Sequence, residues 1–101
     1  MMAYKLIISP GATQDIFEAF EYYQKKEAGL GNRFLNELED FYKKLKKNPT
    51  FYSFVSKEKS IRALSLKVFP YKIIYEINQN ELYVFAIHHF SQSSNHFLKR
   101  L

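Results

Sequence analysis

The sequence has no cysteine, so a disulfide framework, a thiolate zinc site and a cysteine nucleophile are all excluded. It also lacks an apolar stretch long enough to span a membrane, and the apolar run near its N-terminus is far shorter than the core of a signal peptide. We therefore expect a cytoplasmic protein that is not exported and has no membrane partner.

Acidic residues are scarce as well, with 10 Asp and Glu against 15 Lys and Arg, which gives a formal charge of +5. The shortage lies in the second half of the chain. Residues 1–47 hold eight basic and seven acidic residues, whereas residues 48–101 hold seven basic and three acidic residues and all three histidines. This excess predicts an anionic partner for the second half, and an acidic protein and a nucleic acid fit it equally well.

Bulky apolar side chains are abundant. Hydrophobic residues make up 47% of the chain and aromatic residues 18%, which is enough to fill a core without a metal or a crosslink and excludes a disordered chain. A length of 101 residues suits one domain and is too short for two. We predict a single domain over residues 1–101.

The first half of the sequence predicts a strand and two helices. Residues 4–8 have the composition of a short strand, and Ser9 can cap a helix that begins at Pro10. Apolar residues then recur at helical spacing, at Ala12, Ile16, Ala19, Phe20 and Tyr23. Two glycines interrupt the pattern, and a second stripe follows at Phe34, Leu35, Leu38, Phe41, Tyr42 and Leu45. The pair predicts a helical hairpin that ends before Pro49.

The second half predicts a β-meander. Residues 50–60 form a polar connection that the pattern assigns to no element. From residue 61 the apolar period is two, which predicts strands at 61–68, 71–77 and 82–89. The order β-α-α-β-β-β predicts an α+β fold, with the helical hairpin packed on one face of a small, mainly antiparallel sheet. We expect the opposite sheet face to be free for partners.

Several short motifs occur in order along this frame. They are Asp15-Ile16, Tyr22-Tyr23, Gly29-Leu30-Gly31-Asn32-Arg33-Phe34, Asn48-Pro49, Arg62, Phe69-Pro70-Tyr71 with the strand that follows, and Ile87-His88-His89. Together they resemble the RelE/ParE superfamily of bacterial toxins, and most closely its ParE branch of plasmid stabilisation proteins. The resemblance spans nearly the whole chain. It implies the toxin component of a type II toxin-antitoxin system, neutralised by a cognate antitoxin.

The superfamily implies two activities. ParE proteins inhibit DNA gyrase by binding it, whereas RelE proteins cut messenger RNA in the ribosome without a metal. RelE-like enzymes carry basic residues on the middle strands and an arginine after the last strand. This chain has Ala63 and Ser65 at such strand positions, so that Lys67 and Lys72 are partial matches, and this weakens the case for a nuclease. ParE-like sequences also have an arginine three residues after a histidine at the end of the last strand, and this chain has Gln92 there. A neutral amide cannot replace a charged guanidinium, so that either the activity does not need this charge or this copy is weakened or diverged.

The candidate target- or antitoxin-binding residues are Arg62, Lys67, Lys72, His89, Gln92, Lys99 and Arg100. If the protein cuts RNA, the candidate catalytic residues are Lys67, Lys72, His88 and His89. The same lysines can equally be solvated strand residues, and the same histidines can serve packing alone. His88 and His89 are adjacent in a strand and point to opposite faces, and His96 fits no zinc spacing, so we expect no metal and no cofactor.

Three functions are open at this point. The preferred one is a ParE-like toxin that binds gyrase and has no catalytic residues of its own. The second is a ribosome-dependent endoribonuclease that acts on mRNA with a reduced set of catalytic residues. The third is a degenerate relative that still binds an antitoxin and is no longer toxic. In each case we expect the antitoxin to be a partly disordered chain that folds as it binds.

Overall fold

A computed structural model describes residues 3–101, and within this range the chain forms five strands and three helices. In chain order these are β1 (Lys5–Ile8), α1 (Pro10–Lys26), α2 (Leu30–Lys47), β2 (Phe54–Ser56), β3 (Ile61–Ser65), β4 (Tyr71–Asn78), β5 (Glu81–His89) and α3 (Asn95–Leu98). The predicted α+β fold and the order β-α-α-β-β-β are confirmed. Two short elements, β2 and α3, are added to it.

The five strands form one mixed sheet in the order β1-β5-β4-β3-β2. β1 runs parallel to β5, with Leu6 opposite Leu82, and the other neighbours are antiparallel. The prediction of a mainly antiparallel sheet is therefore correct. β1 lies at one edge of the sheet and β2 at the other, so each has one unpaired side within the described residues.

The entry into α1 follows the predicted cap. Ser9 accepts a hydrogen bond on Oγ from the Ala12 N–H at 3.0 Å, and Pro10 occupies the first turn, where its missing N–H costs nothing. The helix buries Ala12, Ala19 and Tyr23, which are members of the predicted stripe. Its buried face lies on the sheet.

The helical hairpin turns at two glycines for different reasons. Gly29 has φ +89°, in the left-handed region that favours glycine. Gly31 lies so close to α1 that an added Cβ would be 2.8 Å from the Phe20 ring and from the Phe20 carbonyl oxygen. The two helices can approach this closely only because position 31 has no side chain.

The main core lies between the hairpin and the sheet. Four aromatic rings meet there, with centroids 4.8 to 6.2 Å apart: Tyr23, Phe34, Phe69 and Tyr71. Tyr75 is fully buried and donates its hydroxyl hydrogen to the Pro49 carbonyl at 2.6 Å. This bond fixes the end of the hairpin to the middle of the sheet.

The opposite sheet face, here called the outer face, includes Ile61, Ala63, Ile74 and Ala86. Residues 95–101, the C-terminal segment, cover part of it, since Phe97 and Leu101 pack on these residues. Phe97 is only 3% exposed. The expectation that this face is free for partners is therefore wrong for the part under the C-terminal segment. A short helix with one buried aromatic residue is enough to cover it.

The connection that the sequence pattern left unassigned contains the edge strand β2. It pairs with β3 through an irregular register between Phe54 and Ser56. Arg62 holds the connection in place, because its guanidinium donates to the Thr50 and Tyr52 carbonyls at 3.0 and 2.6 Å and stacks 4.0 Å above the Phe54 ring.

Candidate functional site

An ionic network joins α1, β5 and the C-terminal segment at Asp15. Its carboxylate accepts two hydrogen bonds from the Arg100 guanidinium, at 2.7 and 3.1 Å, and one from the Ile87 backbone N–H at 3.0 Å. The Nε2 atom of His96 lies 3.1 Å from Asp15 Oδ1. Only 9% of the Asp15 side chain is exposed, so this carboxylate is desolvated, and the bonds from Arg100 and Ile87 replace those to water.

His88 extends this network along the outer face. Its Nδ1 lies 3.0 Å from Nδ1 of His96, and its ring is 5.0 Å from the Phe97 ring. His88 is 3% exposed. The C-terminal segment is therefore attached to the sheet by both an apolar contact at Phe97 and a polar chain that runs His88–His96–Asp15–Arg100.

The direction of the hydrogen bonds in this chain depends on the tautomers of the two histidines. The Nε2 atom of His96 lies 3.1 Å from an acceptor, Asp15 Oδ1, and 3.2 Å from a donor, Arg100 Nη2. The 3.0 Å contact between the Nδ1 atoms of His88 and His96 requires that one of them donates a hydrogen and the other accepts it.

The pKa of His88 is lowered from its ordinary value, first because burial disfavours the charged ring. The neighbouring His96 and the Lys72 ammonium lower this pKa further, whereas a hydrogen bond to the Gln92 backbone and the Asp15 charge oppose the shift. His88 is therefore neutral at neutral pH. Lys72 lies directly opposite His88 on β4 and is half-buried.

The other candidate histidine, His89, points to the opposite side of the strand. Its ring packs edge-to-face on Tyr71, with centroids 4.8 Å apart, and it lines a cleft of about 520 Å³ with Tyr22, Lys26 and Gln92. The Ser91 N–H donates to Nδ1 of His89 at 3.0 Å. His88 and His89 thus serve different faces of the molecule.

Gln92, which stands where the resemblance expects an arginine, closes a turn at the end of β5. Its Oε1 atom accepts from the His89 N–H at 2.9 Å, and its own N–H donates to the His89 carbonyl at 3.0 Å. Arginine has no acceptor atom and could not make the first of these bonds. The glutamine is therefore a turn residue here, with its side chain directed back to the backbone.

The remaining candidates lie in separate places. Lys67 is exposed in the turn between β3 and β4 and lines a cavity with α2 residues that include Arg33 and Lys44. Lys99 is exposed in the C-terminal segment. Arg62 and Arg100 use their guanidinium groups within the chain. Of the four candidate catalytic residues, only Lys72 and His88 are brought together.

Glu37 determines how the Lys67 turn is held. Its carboxylate accepts from three successive backbone N–H groups, those of Lys67, Val68 and Phe69, at 3.2, 2.7 and 3.0 Å. The three amides form an anion-binding site, and the Glu37 carboxylate of the same chain occupies it. The turn therefore has a fixed shape without a ligand.

Asp15 and His96 are the two residues of this network that sequence reasoning did not select. A signal for Asp15 exists, because it stands three residues after Ala12 and four before Ala19, both of which are buried. A carboxylate on the buried stripe of a helix needs a partner. Nothing in the local sequence indicates His96, which is 81 residues away from Asp15 along the chain.

Within residues 3–101 no group of three His, Asp or Glu side chains is arranged to hold a metal ion. None of the three helices in this range is long and apolar enough to cross a membrane.

The fold is that of known bacterial toxins. The chain superimposes with a TM-score of 0.64 on a structure of the chromosomal ParDE system from P. aeruginosa, at 15% identity, covering 86% of this chain and 96% of that one. A structure of the toxin-antitoxin complex RelBE2 from Mycobacterium tuberculosis gives a TM-score of 0.62 at 15% identity, covering 86% and 98% of the two chains.

A mutant of the E. coli toxin RelE in the free state is similar over its whole length. The TM-score is 0.63 at 14% identity, and 99% of each chain is covered. No curated protein sequence matches the chain significantly. At the level of families, residues 6–93 match the family described as "ParE toxin of type II toxin-antitoxin system, parDE". This match spans most of the chain, and the protein therefore belongs to the ParE family of type II toxin-antitoxin toxins.

Proposed function

We propose that the protein acts by binding a protein target, DNA gyrase in keeping with the ParE branch, and that it does so without catalysis. The observation that carries this proposal is that the arginines of the second half of the chain are not free to hold a phosphate. Metal-free RNA cleavage needs cations that hold the phosphate in its strained form. Here Arg62 and Arg100 are bound within the chain. The arginine expected after β5 is Gln92, and it faces its own backbone.

An exposed apolar edge supports a protein-binding role. Phe51 is 79% exposed, and Phe54 and Val55 on β2 are 39% and 40% exposed, next to the stacked Arg62. Exposed aromatic residues beside an arginine on an open strand are typical of surfaces that bind proteins. We assign this β2 edge to the target.

A cognate antitoxin is the second partner in this proposal. Two of the structural relatives are described as a ParDE system and as a RelBE2 toxin-antitoxin complex, and the chain's charge of +5 favours an acidic partner. We expect a partly disordered antitoxin that folds as it wraps the toxin. With these two partners, we propose that the protein acts in the cytoplasm.

The target is tested with purified gyrase and by mapping transcripts in cells. We expect the protein to inhibit DNA supercoiling by gyrase and to leave transcripts intact when primer extension is used to map mRNA soon after induction. The Phe51→Ser variant should lose inhibition and keep its fold, because this side chain is largely exposed. Val68→Ser, at another exposed position that is 67% accessible, is the matched control. Codon-phased cleavage of mRNA would contradict the proposal.

One observation favours the alternative of a RelE-like endoribonuclease. Lys72 lies opposite His88, whose Nδ1 lies 3.0 Å from Nδ1 of His96, and a pair of imidazoles within hydrogen-bond distance is a group that can transfer a proton. The same transcript mapping separates the two functions, because Lys72→Ala would abolish cleavage.

Gln92 favours the third possibility, a relative that has lost its toxicity. Induction without growth arrest, while the antitoxin still binds, would support it. Gln92→Arg would then be the informative reversion, although it removes the bond to the His89 N–H.

A further inference from the structure

An apolar groove opens between α2 and β1, on the side of the sheet that the helices cover. It has a volume of about 450 Å³, and its walls include Leu6 of β1, Ile16 of α1, and Leu38 and Tyr42 of α2. These side chains come from three elements, so the groove is formed by the fold and not by one flexible loop. It has the size of one or two large apolar side chains.

Tyr42 gives the groove a polar group without a partner. Its hydroxyl oxygen is buried, and no residue in the range 3–101 accepts or donates a hydrogen bond to it. Burial raises the pKa of Tyr42, which keeps this hydroxyl protonated and able to donate at neutral pH. A buried donor without an acceptor is costly, and a ligand that supplies an acceptor recovers that cost.

The edge of β1 next to the groove is also unpaired. The Lys5 N–H donates to the Asn80 carbonyl, in the turn before β5, at 2.8 Å, and the Ser9 N–H donates to the Val84 carbonyl of β5 at 3.1 Å. Because successive amides of a strand point to opposite sides, the Leu6 and Ile8 N–H groups point away from the sheet. The Leu6 side chain lines the groove. A strand added along this edge would place one of its own side chains next to Leu6, on the face of the sheet that borders the groove.

The rim of the groove is basic. Lys43 and Lys46 stand on it, with Glu39 as the one opposing charge among the residues that line it. Both lysines are exposed, so their charges attract a partner and fix its register without a large desolvation cost.

We propose that an extended, acidic segment of the antitoxin adds to the β1 edge, inserts one large apolar side chain beside Leu6 into this groove, and accepts a hydrogen bond from Tyr42. Its carboxylates lie against Lys43 and Lys46. This inference rests on the proposed pairing with an antitoxin and adds the docking site and the chemistry of the segment that it takes.

The first test uses the full chain and the product of the reading frame that adjoins its gene, with affinity measured by calorimetry. Tyr42→Phe removes only the hydroxyl. We expect the free variant to melt at the same temperature as the parent or higher, because an unpaired buried group is removed. Its affinity for the antitoxin should fall about fivefold to tenfold, the value of one hydrogen bond. If the hydroxyl only stabilised the fold, its removal would lower the melting temperature and leave the affinity for the antitoxin unchanged. That result would overturn the inference.

The second test compares two charge reversals on the same helix. Lys46→Glu should weaken antitoxin binding about tenfold at low salt, and less at high salt, because the rim charge is exposed. Lys44→Glu is the matched control. Lys44 lies over the Phe41 ring and lines a different cavity, so its reversal should leave the affinity within twofold.

Amide hydrogen exchange tests the strand directly. On binding, exchange should slow at Leu6 and Ile8 and change little at Lys5 and Ser9, which are already bonded. If the antitoxin binds with no protection at Leu6 and with unchanged affinity for Tyr42→Phe and Lys46→Glu, the docking site is wrong and the pairing stands. If the adjoining product does not bind at all, the pairing fails and the docking site with it. A dimer of the chain alone that Lys46→Glu dissociates would assign the groove to self-association and overturn the inference.

Discussion

At Asp15, one carboxylate ties the C-terminal segment to α1 and β5. Arg100 and His96 reach it from the C-terminal segment, and the Ile87 N–H reaches it from β5. Charge-assisted bonds of this kind are stronger than neutral ones, and they hold here because each partner is partly desolvated. One side chain therefore supplies the polar attachment of residues 95–101, beside the apolar contact at Phe97.

We expect Asp15→Ala to lower the free energy of unfolding by about 3 kcal/mol, as found when one partner of a buried ion pair is removed. The value is at the lower end of the known range because 27% of the Arg100 side chain is exposed. Urea unfolding followed by circular dichroism measures the change. Glu21→Ala, an exposed position on the same helix, is the control and should alter stability by less than about 0.5 kcal/mol.

The second prediction at this scale concerns pH. The pKa of His88 is lower in the folded chain than in the unfolded one. Below the unfolded pKa of about 6.5, the unfolded state therefore binds more protons than the folded state. Stability should be greatest above pH 7 and should fall as the pH drops through 6.5 towards the folded pKa of His88.

Urea midpoints measured from pH 8 to pH 5 test this dependence. His88→Gln should flatten the slope between pH 7 and pH 5.5, because the titrating group is gone, whereas His89→Gln should leave most of it. A parent protein whose midpoint rises on acidification through this window would contradict the assignment of the shift to His88.

At the scale of elements, the helical hairpin depends on the close approach at Gly31. We expect Gly31→Ala to destabilise the protein by about 2 kcal/mol, since the new methyl group would meet both a ring and a backbone oxygen of Phe20 at 2.8 Å. Thermal unfolding measures it. Asn32→Ala, the next position along and exposed, should change the melting temperature little.

The turn between β3 and β4 also depends on one side chain, the carboxylate of Glu37. Glu37→Gln keeps the shape of the side chain and replaces an anion that holds three amides with a neutral group. We expect faster amide exchange at Lys67, Val68 and Phe69, with the β4 amides unaffected. Equal rates in parent and variant would mean that the turn holds its shape without the carboxylate.

The long elements were predictable from the sequence because their apolar periods are regular. The stripe from Ala12 to Tyr23 and the alternation in β4 both identify the elements that form the core. β2 was not predictable as an element, since it has 3 residues and is too short to display a period. For residues 95–101 the sequence indicates a short amphipathic turn or helix, and α3 has 4 residues there. Both elements exist because long-range contacts hold them, at Arg62 for β2 and at Phe97 for α3.

The site was less predictable than the fold. Sequence spacing places His88 and His89 on opposite faces. The groups that the arginines bind, however, come from residues that are far away along the sequence. Arg100 binds Asp15 from 85 residues away, and Arg62 binds carbonyls in a connection without a pattern. An arginine that the sequence suggests is available to a partner can therefore have its guanidinium hydrogen-bonded within the folded chain.

For the whole molecule, the C-terminal segment forms a third layer over the sheet. We expect Phe97→Ala to cost about 3 kcal/mol, because the ring fills the contact with Ile61, Ile74 and Ala86. Binding of a dye specific for exposed apolar surface should rise at the same time. Leu98→Ala, in the same helix but 42% exposed, should do neither.

The pairing of β1 with β5 brings one of the first stretches of the chain beside one of the last. Leu6 finds its neighbour Leu82 only after the intervening hairpin and meander have been synthesised. A partly translated chain consequently lacks the completed edge and the groove beside it. Harm to the host, and its neutralisation, should therefore begin only after β5 has been translated, and a translation product that stops before β5 should be inert.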